Sequence, residues 1–328
     1  MTNTTRSPSI TLAMLAYNQS AVIDAAIASA LAQTGAPIEI LLSDDASPDD
    51  TFARMQAQAA AYRGPHQVIA RRNPVNLGLG GHVNAVMQAA RGELVLLMAG
   101  DDLCLPERAQ RVREAWEASG RRADLIASHV IDMSLDGEDL GVLRVDDLAQ
   151  WHGVADWARS RPHVIGAAHA VTRRLFDRFG PMASDCLLED QVNTLRALCA
   201  GGACTVDAPL LRYRRGGVSG RHVDADGAAL RSRLKRLAER HLALHRQWQR
   251  DAAHAGCLDT VLAATDRDAQ REAFLVALLA DPSRTPPLAL LWDRRFRVRA
   301  GWRLSKWLRV AFADLAVRVD AFKARRRG

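Results

Sequence analysis

The sequence predicts an α/β fold, a mostly parallel sheet flanked by helices, with a helical extension behind it. Three observations predict it. Over the first 130 residues, short apolar runs alternate with segments of helical periodicity. Those runs, at 10–17, 38–43 and 94–98, are mostly apolar rather than alternating, as strands covered on both faces are. From about Ala228 to Leu279 the pattern is helical alone.

Residues 10–17 form the first strand. Residues 20–33 are Ala-rich with helical spacing, and Ser20 is placed to cap them. Residues 38–43 form a second strand that runs into two Asp. A helix is expected over 49–62 with Asp49 as its cap, then a weak strand over 67–70 and a helix over 81–90. Residues 93–99 are a buried-type strand. Residues 105–119 form an amphipathic helix with Pro106 near its first turn, and 124–133 a further strand. After irregular residues 134–162, an apolar piece (163–171), a helix start near Arg173, a helix over 191–200 and a strand over 204–213 follow. Gly216, Gly217 and Gly220 mark a loop, and Pro282, Pro286 and Pro287 break the helical extension. The chain is thus expected to divide into a domain at 1–224, a helical extension at 225–281 and a basic amphipathic tail at 282–328.

The formal charge of +7 over 328 residues is unevenly spread. Residues 282–328 hold 13 Lys and Arg against 3 acids, while the rest hold 31 basic and 34 acidic residues. The basicity belongs to the tail, and no nucleic-acid reader motif accompanies it, so nucleic acid is not an expected partner. Only 3 of the 44 basic residues are Lys, and residues 1–234 have none. That excludes a Walker A loop, a pyridoxal Schiff base and a Lys-dependent phosphoacceptor domain from this stretch. An anion bound there must be held by Arg, backbone N–H groups or a metal. The five cysteines are odd in number and none has C-x-x-C spacing, which points away from disulfides and structural zinc and toward a reducing cytoplasm. The N-terminus runs straight into a strand, so no cleaved leader is expected. No apolar run approaches the ~18 residues that cross a bilayer.

In open parallel sheets ligands bind beyond the carboxyl ends of the strands, which is where this sequence puts its acids. Tyr17-Asn18 follows the first strand and Asp44-Asp45-Ala46-Ser47 closes the second. A carboxylate there can accept from a nucleobase N–H, and an aromatic ring can stack on the base. The plainer reading is Asx-turns and capping; it suits Asp49 better than Asp44 and Asp45, whose adjacent charges repel without a partner. Gly100-Asp101-Asp102 closes the strand at 94–98. Paired acids at that point suit a hard divalent ion that shares phosphate oxygens with a ligand, where the alternative is a turn before the Pro106 helix. Glu189-Asp190 opens a helix, either as a general base near a metal-bound diphosphate or as ordinary N-terminal acids.

In combination and order, these motifs resemble those of the family 2 glycosyltransferases, which have the GT-A nucleotide-diphospho-sugar fold. The resemblance runs from Ile10-Thr11-Leu12 and Tyr17-Asn18 through Ser43-Asp44-Asp45-Ala46-Ser47, Asn76-Leu77-Gly78, Ala90-Arg91-Gly92-Glu93 and Gly100-Asp101-Asp102-x-x-x-Pro106-Glu107-Arg108 to Glu189-Asp190 and Tyr213-Arg214. It covers roughly residues 8–220. It implies that Tyr17, Asn18, Asp44, Asp45, Asn76 and Gly78 line the nucleotide-sugar site. It implies Asp101 on the ribose side, Asp102 as ligand to Mg2+ or Mn2+ with Asp101 as a second candidate, and Asp190 as the catalytic base of an inverting transfer. The acceptor implied is a saccharide or lipid-linked saccharide in cell-surface polysaccharide or lipopolysaccharide/O-antigen assembly. Departures are Gly100 before the acid pair and Gly80-Gly81-His82-Val83-Asn84 where many members have Ala-Arg-Asn. His82 is read as a phosphate contact or, more simply, a solvent-facing histidine. Gly216-Gly217 stands where members often carry His after Tyr-Arg, leaving His222, Arg214, Arg215 and Arg221 as equivalent candidates near the diphosphate.

Two other readings carry less. A catalytically degenerate sugar-nucleotide-binding scaffold is opposed by intact acids at all three places. A sugar nucleotidyltransferase lacks its glycine-rich phosphate loop after strand one. Gly78-x-Gly80-Gly81 has neither the third glycine nor the preceding strand of a dinucleotide loop, and His241-x-x-x-His245 lacks the acid of a zinc hydrolase and reads as an exposed helix face. In the tail, Leu304, Leu308, Ala311, Leu315, Val319 and Phe322, widened by Trp307 and Phe312, make one apolar helical stripe with Arg303, Lys306, Arg309 and Lys323 off it. Either this stripe packs on the body, or residues 302–327 lie on an anionic membrane, peripheral at its inner face.

Overall fold

The computed structural model describes residues 9–215, 224–281 and 286–325, with side chains to 320; Arg221, His222 and residues 326–327 lie outside the described residues, as do the side chains of Phe322 and Lys323. Strands and helices alternate as β1 (Ile10–Ala16), α1 (Ile23–Leu31), β2 (Glu39–Asp44), α2 (Thr51–Ala61), β3 (Gln67–Arg72), α3 (Gly78–Ala89) and β4 (Leu94–Ala99). β5 (Leu103–Cys104), α4 (Arg108–Ala118), β6 (Leu125–Met133), β7 (Asp139–Leu143), α5 (Val154–Arg159), β8 (His169–Thr172), α6 (Arg173–Phe179), α7 (Glu189–Leu198) and β9 (Ala203–Arg214) follow. The C-terminal helices are α8 (Gly227–Ala255), α9 (Leu258–Leu278), α10 (Ala300–Ala311) and α11 (Ala313–Arg325).

The sheet order is β3-β2-β1-β4-β8-β6-β9-β5, with β7 on the edge of β6. β3, β2, β1 and β4 are parallel; β8 enters antiparallel between β4 and β6, and β6 and β9 are again parallel. Alternate residues of each central strand feed two cores. Leu12, Met14, Ile40, Leu42, Leu96 and Met98 meet α1, α2 and α4 on one face. Ala13, Leu41, Val95 and Leu97 meet α3, α7 and α8 on the other. Both faces are covered, which is why the strands read as mostly apolar runs. The chain leaves β1 one way to β2 and β3 and the other way to β4, so a crevice opens between the carboxyl ends of β1 and β4 at this switch point.

Several local expectations are corrected. Ser20 does not cap α1: the helix starts at Ile23, its N-cap Val22 makes no side-chain capping bond, and the Ser20 N–H donates to Asp49 Oδ2 at 3.0 Å. Nor is Asp49 the cap of α2, which starts at Thr51 with Asp50 at its N-cap; Asp49 is a loop tie and turn acid, its other oxygen accepting from Thr51 N and Oγ1. α3 begins at Gly78 rather than 81, and β3 runs on to Arg72. The His241 and His245 side chains are not a free helix face. His245 is buried edge-on against Trp248, and His241 pairs with Glu272 of α9.

α8 belongs to the second core through Leu244, Trp248 and Ala252. The tail is two helices broken at Phe312, held to the body by Val310 and Ala313, off the expected stripe, and by Trp307 from its margin. Val310 and Ala313 are buried, Val310 against Phe274, Leu278 and Leu279, while Trp307 Nε1 donates to Pro286 O at 3.0 Å. The Gly227 N–H donates to Asp314 Oδ1 at 2.7 Å, docking α11 on the start of α8. Among the described residues no helix is long and apolar enough to cross a membrane.

Candidate active site

The crevice is built from the loops after β1, β2 and β4. Register places Ala16 opposite Asp44 and Leu15 opposite Ala99, so Tyr17, Asp45 and Gly100 leave the sheet side by side. The Asp45 N–H donates to Ala16 O and the Gly100 N–H to Leu15 O, both at 2.9 Å. Asn18 sits in the left-handed region (φ 54°), which Asn tolerates well. There its N–H donates to Ser47 Oγ at 2.9 Å, pinning the first loop to the second. Gly100 is required by space. A Cβ there would lie 2.7 Å from that of Ala16 and 2.5 Å from Gln19 Oε1, which accounts for glycine before the acid pair. The Tyr17 side of this rim is open, with the residue 49% exposed, as a stacking platform for a planar ring needs.

The two acids after β2 have partners, which corrects the expectation that turn-making suited them poorly. Asp44 is buried, accepts the Ser47 N–H at 3.0 Å in a tight turn and pairs with Arg72 at 3.2 Å. Asp45 Oδ1 accepts from Asn73 Nδ2 at 2.7 Å and from the Leu77 N–H at 3.0 Å. That second bond anchors the loop carrying Asn76 and Gly78. Asn76 Oδ1 accepts the Gly78 N–H at 3.0 Å, and Gly78 takes φ +69° to open α3. His82 is not solvent-facing. It is buried, bonded to Ser43 Oγ at 2.7 Å, and burial pushes its pKa down to about 4. Arg71 donates to Ser43 Oγ and to Asn73 Oδ1, so His82, Ser43, Arg71, Asn73 and Asp45 form one network. The sequence reading missed Arg71, Arg72 and Asn73. Their signal was available: Arg-Arg-Asn follows the apolar part of β3, at the strand end that register sets beside Asp44.

The acids after β4 are situated differently. Asp102 is 1% exposed; its Oδ1 accepts the Arg214 N–H at 2.8 Å, and its Oδ2 has no partner. Burial first and the Asp101 charge second push its pKa up to about 8. Burial also raises Asp101. Arg214 grips the same loop through Nε to Asp101 O at 3.0 Å and reaches Leu135 O at 2.6 Å, so it orders the acids through backbone. Among the described residues no cation lies within ion-pair distance of either carboxylate, and no cluster of three metal-ligating side chains occurs. A buried carboxylate with one orphaned oxygen fits a divalent cation that takes its remaining ligands from diphosphate and water. Arg215 is drawn away to Asp132.

Glu189 and Asp190 form the first turn of α7. Asp190 Oδ1 accepts the Gln191 N–H at 2.8 Å. Burial raises both carboxyls, Glu189 up to about 8 with the Asp190 charge as second cause. Glu189 lies against Gly166, where a Cβ would come within 2.2 Å of its Oε1. The neighbouring Ala167 O accepts from Arg108 at 3.0 Å, and the same guanidinium nitrogen donates to Leu97 O of β4 at 2.7 Å. This fully buried Arg108, noticed in the sequence only as part of a motif, joins the strand that carries Asp101-Asp102 to the turn beside Glu189-Asp190. Behind α7, α8 holds the acid-bearing helix. Trp248 Nε1 donates to Gln191 O at 3.1 Å, and Arg196 forms a buried two-bond pair with Asp251 at 2.8 and 3.0 Å.

Comparison with known proteins agrees with this geometry. Residues 11–150 match the model of glycosyl transferase family 2. The chain is 31% identical over 261 residues to the succinoglycan biosynthesis protein ExoO of Rhizobium meliloti, covering 74% of this chain and 73% of that protein. It is 35% identical over 130 residues to an uncharacterized glycosyltransferase of Nostoc sp. PCC 7120, of which it covers 36%. Among solved structures it resembles the mannosyltransferase PcManGT of Pyrobaculum calidifontis in complex with GDP-Man and Mn2+ (TM-score 0.55, 18% identity, 94% of this chain and 86% of that one). It also resembles S. aureus TarS 1-349 in complex with UDP-GlcNAc (TM-score 0.52, 16% identity, 83% and 86%). These two likenesses show the fold. Sequence, crevice and relatives together place this chain in glycosyltransferase family 2, on a GT-A fold.

Proposed function

We propose that this glycosyltransferase moves a sugar from a nucleotide-diphospho-sugar to an acceptor hydroxyl with inversion, in the assembly of a cell-surface polysaccharide or lipopolysaccharide. The observation that carries this reading is the contrast within one crevice: a buried Asp102 with an unpartnered oxygen on one side and a raised Asp190 on the other, joined through Arg108. The relation to a succinoglycan biosynthesis protein supports the polysaccharide setting.

Tyr17 would stack on the base, with Asn18, Asp44 and Asp45 shaping its pocket and Asn76-Gly78 its far wall. Asp102, with Asp101 beside it, would hold Mg2+ or Mn2+. Bound there, the ion offsets the charge that builds on the departing diphosphate. Asp190 would take the proton of the acceptor hydroxyl as that oxygen attacks C1. The bond from C1 to the diphosphate oxygen breaks, nucleoside diphosphate leaves, and one displacement inverts the anomeric centre. A carboxyl raised by burial is a stronger base than a solvated one, which suits this task. The acceptor is read as a saccharide or lipid-linked saccharide, met at the inner face of the cytoplasmic membrane by a protein peripheral to it.

A panel of UDP- and GDP-sugars incubated with the protein and Mn2+ or Mg2+ tests this. Nucleoside diphosphate release that stops on chelation is expected. Pyrophosphate release would instead indicate a nucleotidyltransferase, and donor binding without turnover of water or any acceptor would favour the degenerate scaffold.

A further inference from the structure

We infer that the outer face of α10 and α11 is a docking surface for an anionic phospholipid bilayer. The inference rests on the peripheral-membrane reading above and deepens it by naming the face and the residues. Leu304, Leu308, Phe312, Leu315 and Val319 fall at steps of four, four, three and four along α10 and α11. All five are exposed, Phe312 to 57% and Leu315 to 61%. The two helices are already held to the body through Val310, Ala313, Trp307 and the Gly227–Asp314 bond, so the stripe is the side left over after packing. Five large exposed apolar side chains at helical spacing on two adjoining helices mark an interaction surface.

Charge chooses the occupant. Residues 282–328 hold 13 basic and 3 acidic residues against a slight acidic excess in the remainder. Much of the acid in the tail is used up internally: Asp293 is chelated by Arg295, Asp320 pairs with Arg309, and Asp314 caps Gly227. Arg294, Arg299 and Arg318 are exposed and have no carboxylate within ion-pair distance among the described residues. A second copy of the tail would bring the same positive charge against this one, whereas an anionic lipid surface complements it. The stripe is too short to span and too exposed to be core, the condition of a helix lying in the interface plane.

The test uses the full chain with vesicles of phosphatidylglycerol mixed with phosphatidylcholine, and of phosphatidylcholine alone. The wild type should sediment with the anionic vesicles at low salt and less at high salt. Leu308→Ser/Phe312→Ser/Leu315→Ser should weaken that binding about tenfold or more, in keeping with interfacial affinity that scales with buried apolar area. Arg294→Gln/Arg299→Gln/Arg318→Gln should abolish the preference for anionic over neutral vesicles. Metal-dependent release of nucleoside diphosphate without acceptor should be unchanged in both variants. That readout reports the catalytic reading separately, so either can fail alone. Equal sedimentation of wild type and the apolar variant would overturn the inference. So would a wild-type dimer in solution that the apolar variant dissolves while vesicle binding is absent, which would make the stripe an interface between copies.

Discussion

The two halves of the crevice differ in how their acids are compensated: those after β2 have a cation, and raised carboxyls are found after β4 and on α7. On the β2 side, Asp44 Oδ2 has Arg72 and the Ser47 N–H while its Oδ1 has no partner, and Asp45 has the Asn73 amide and the Leu77 N–H. On the β4 and α7 sides, Asp102 keeps an oxygen without a partner, and burial pushes Asp102 and Glu189 up to about 8. A buried carboxylate with no cation beside it costs desolvation energy that no ion pair offsets. The first group is architecture that shapes a pocket. On the proposed function, the second is held ready for charge that arrives with ligand.

Breaking the second group should cost reaction rather than fold. Asp102→Asn and Asp190→Asn should each lower transfer by about 10^3-fold, within the range of metal and general-base contributions. Asp190→Asn should leave donor affinity intact by calorimetric titration, and full activity in both would sink the assignment of these residues. Next in size is the support behind α7. Asp251→Ala strands Arg196 without its partner and should destabilise the fold by about 3–5 kcal/mol in urea unfolding.

On the β2 side the penalty should fall on stability. Asp45→Ala leaves the Asn73 amide and the Leu77 N–H unpaired, a loss of about 1–3 kcal/mol. An unchanged urea midpoint would show that water replaces the carboxylate and that the contrast is overdrawn. The smallest effect is one of pH. Glu189 is protonated in the fold up to about 8 and ionises near 4.5 when unfolded, so the native state binds the extra proton between these values. Its contribution to stability therefore falls as pH rises from about 4.5 to about 8 and is level above. Glu189→Gln should match wild type near pH 4 and melt higher near pH 8.5. A variant that melts lower at both would place the carboxylate with the satisfied acids instead.

Much of this site was legible in the chain. Apolar runs ending in Asn18, Asp44-Asp45 and Asp101-Asp102 mark strands whose carboxyl ends converge, because a parallel sheet aligns all such ends on one edge. What was not legible was which acids would find partners. Asp45 meets Asn73 and Leu77, Asp102 meets Arg214, and Arg196 meets Asp251, across separations of 28 to 112 residues. Nothing in local pattern reports those meetings. His82 shows the same limit: its place near a helix start reads as solvent, but α3 lies over the sheet and turns the ring onto Ser43.

The tail completes the division. Its helical period and its charge were written in the sequence, because both depend only on residue order. Which side faces inward was decided by tertiary packing. Val310, off the expected stripe, fits among Phe274, Leu278 and Leu279, and α11 is tethered to α8, leaving the longer apolar face outside. Periodicity shows that a helix has an apolar side. Only the shape of the neighbouring core determines whether that side is the one that packs.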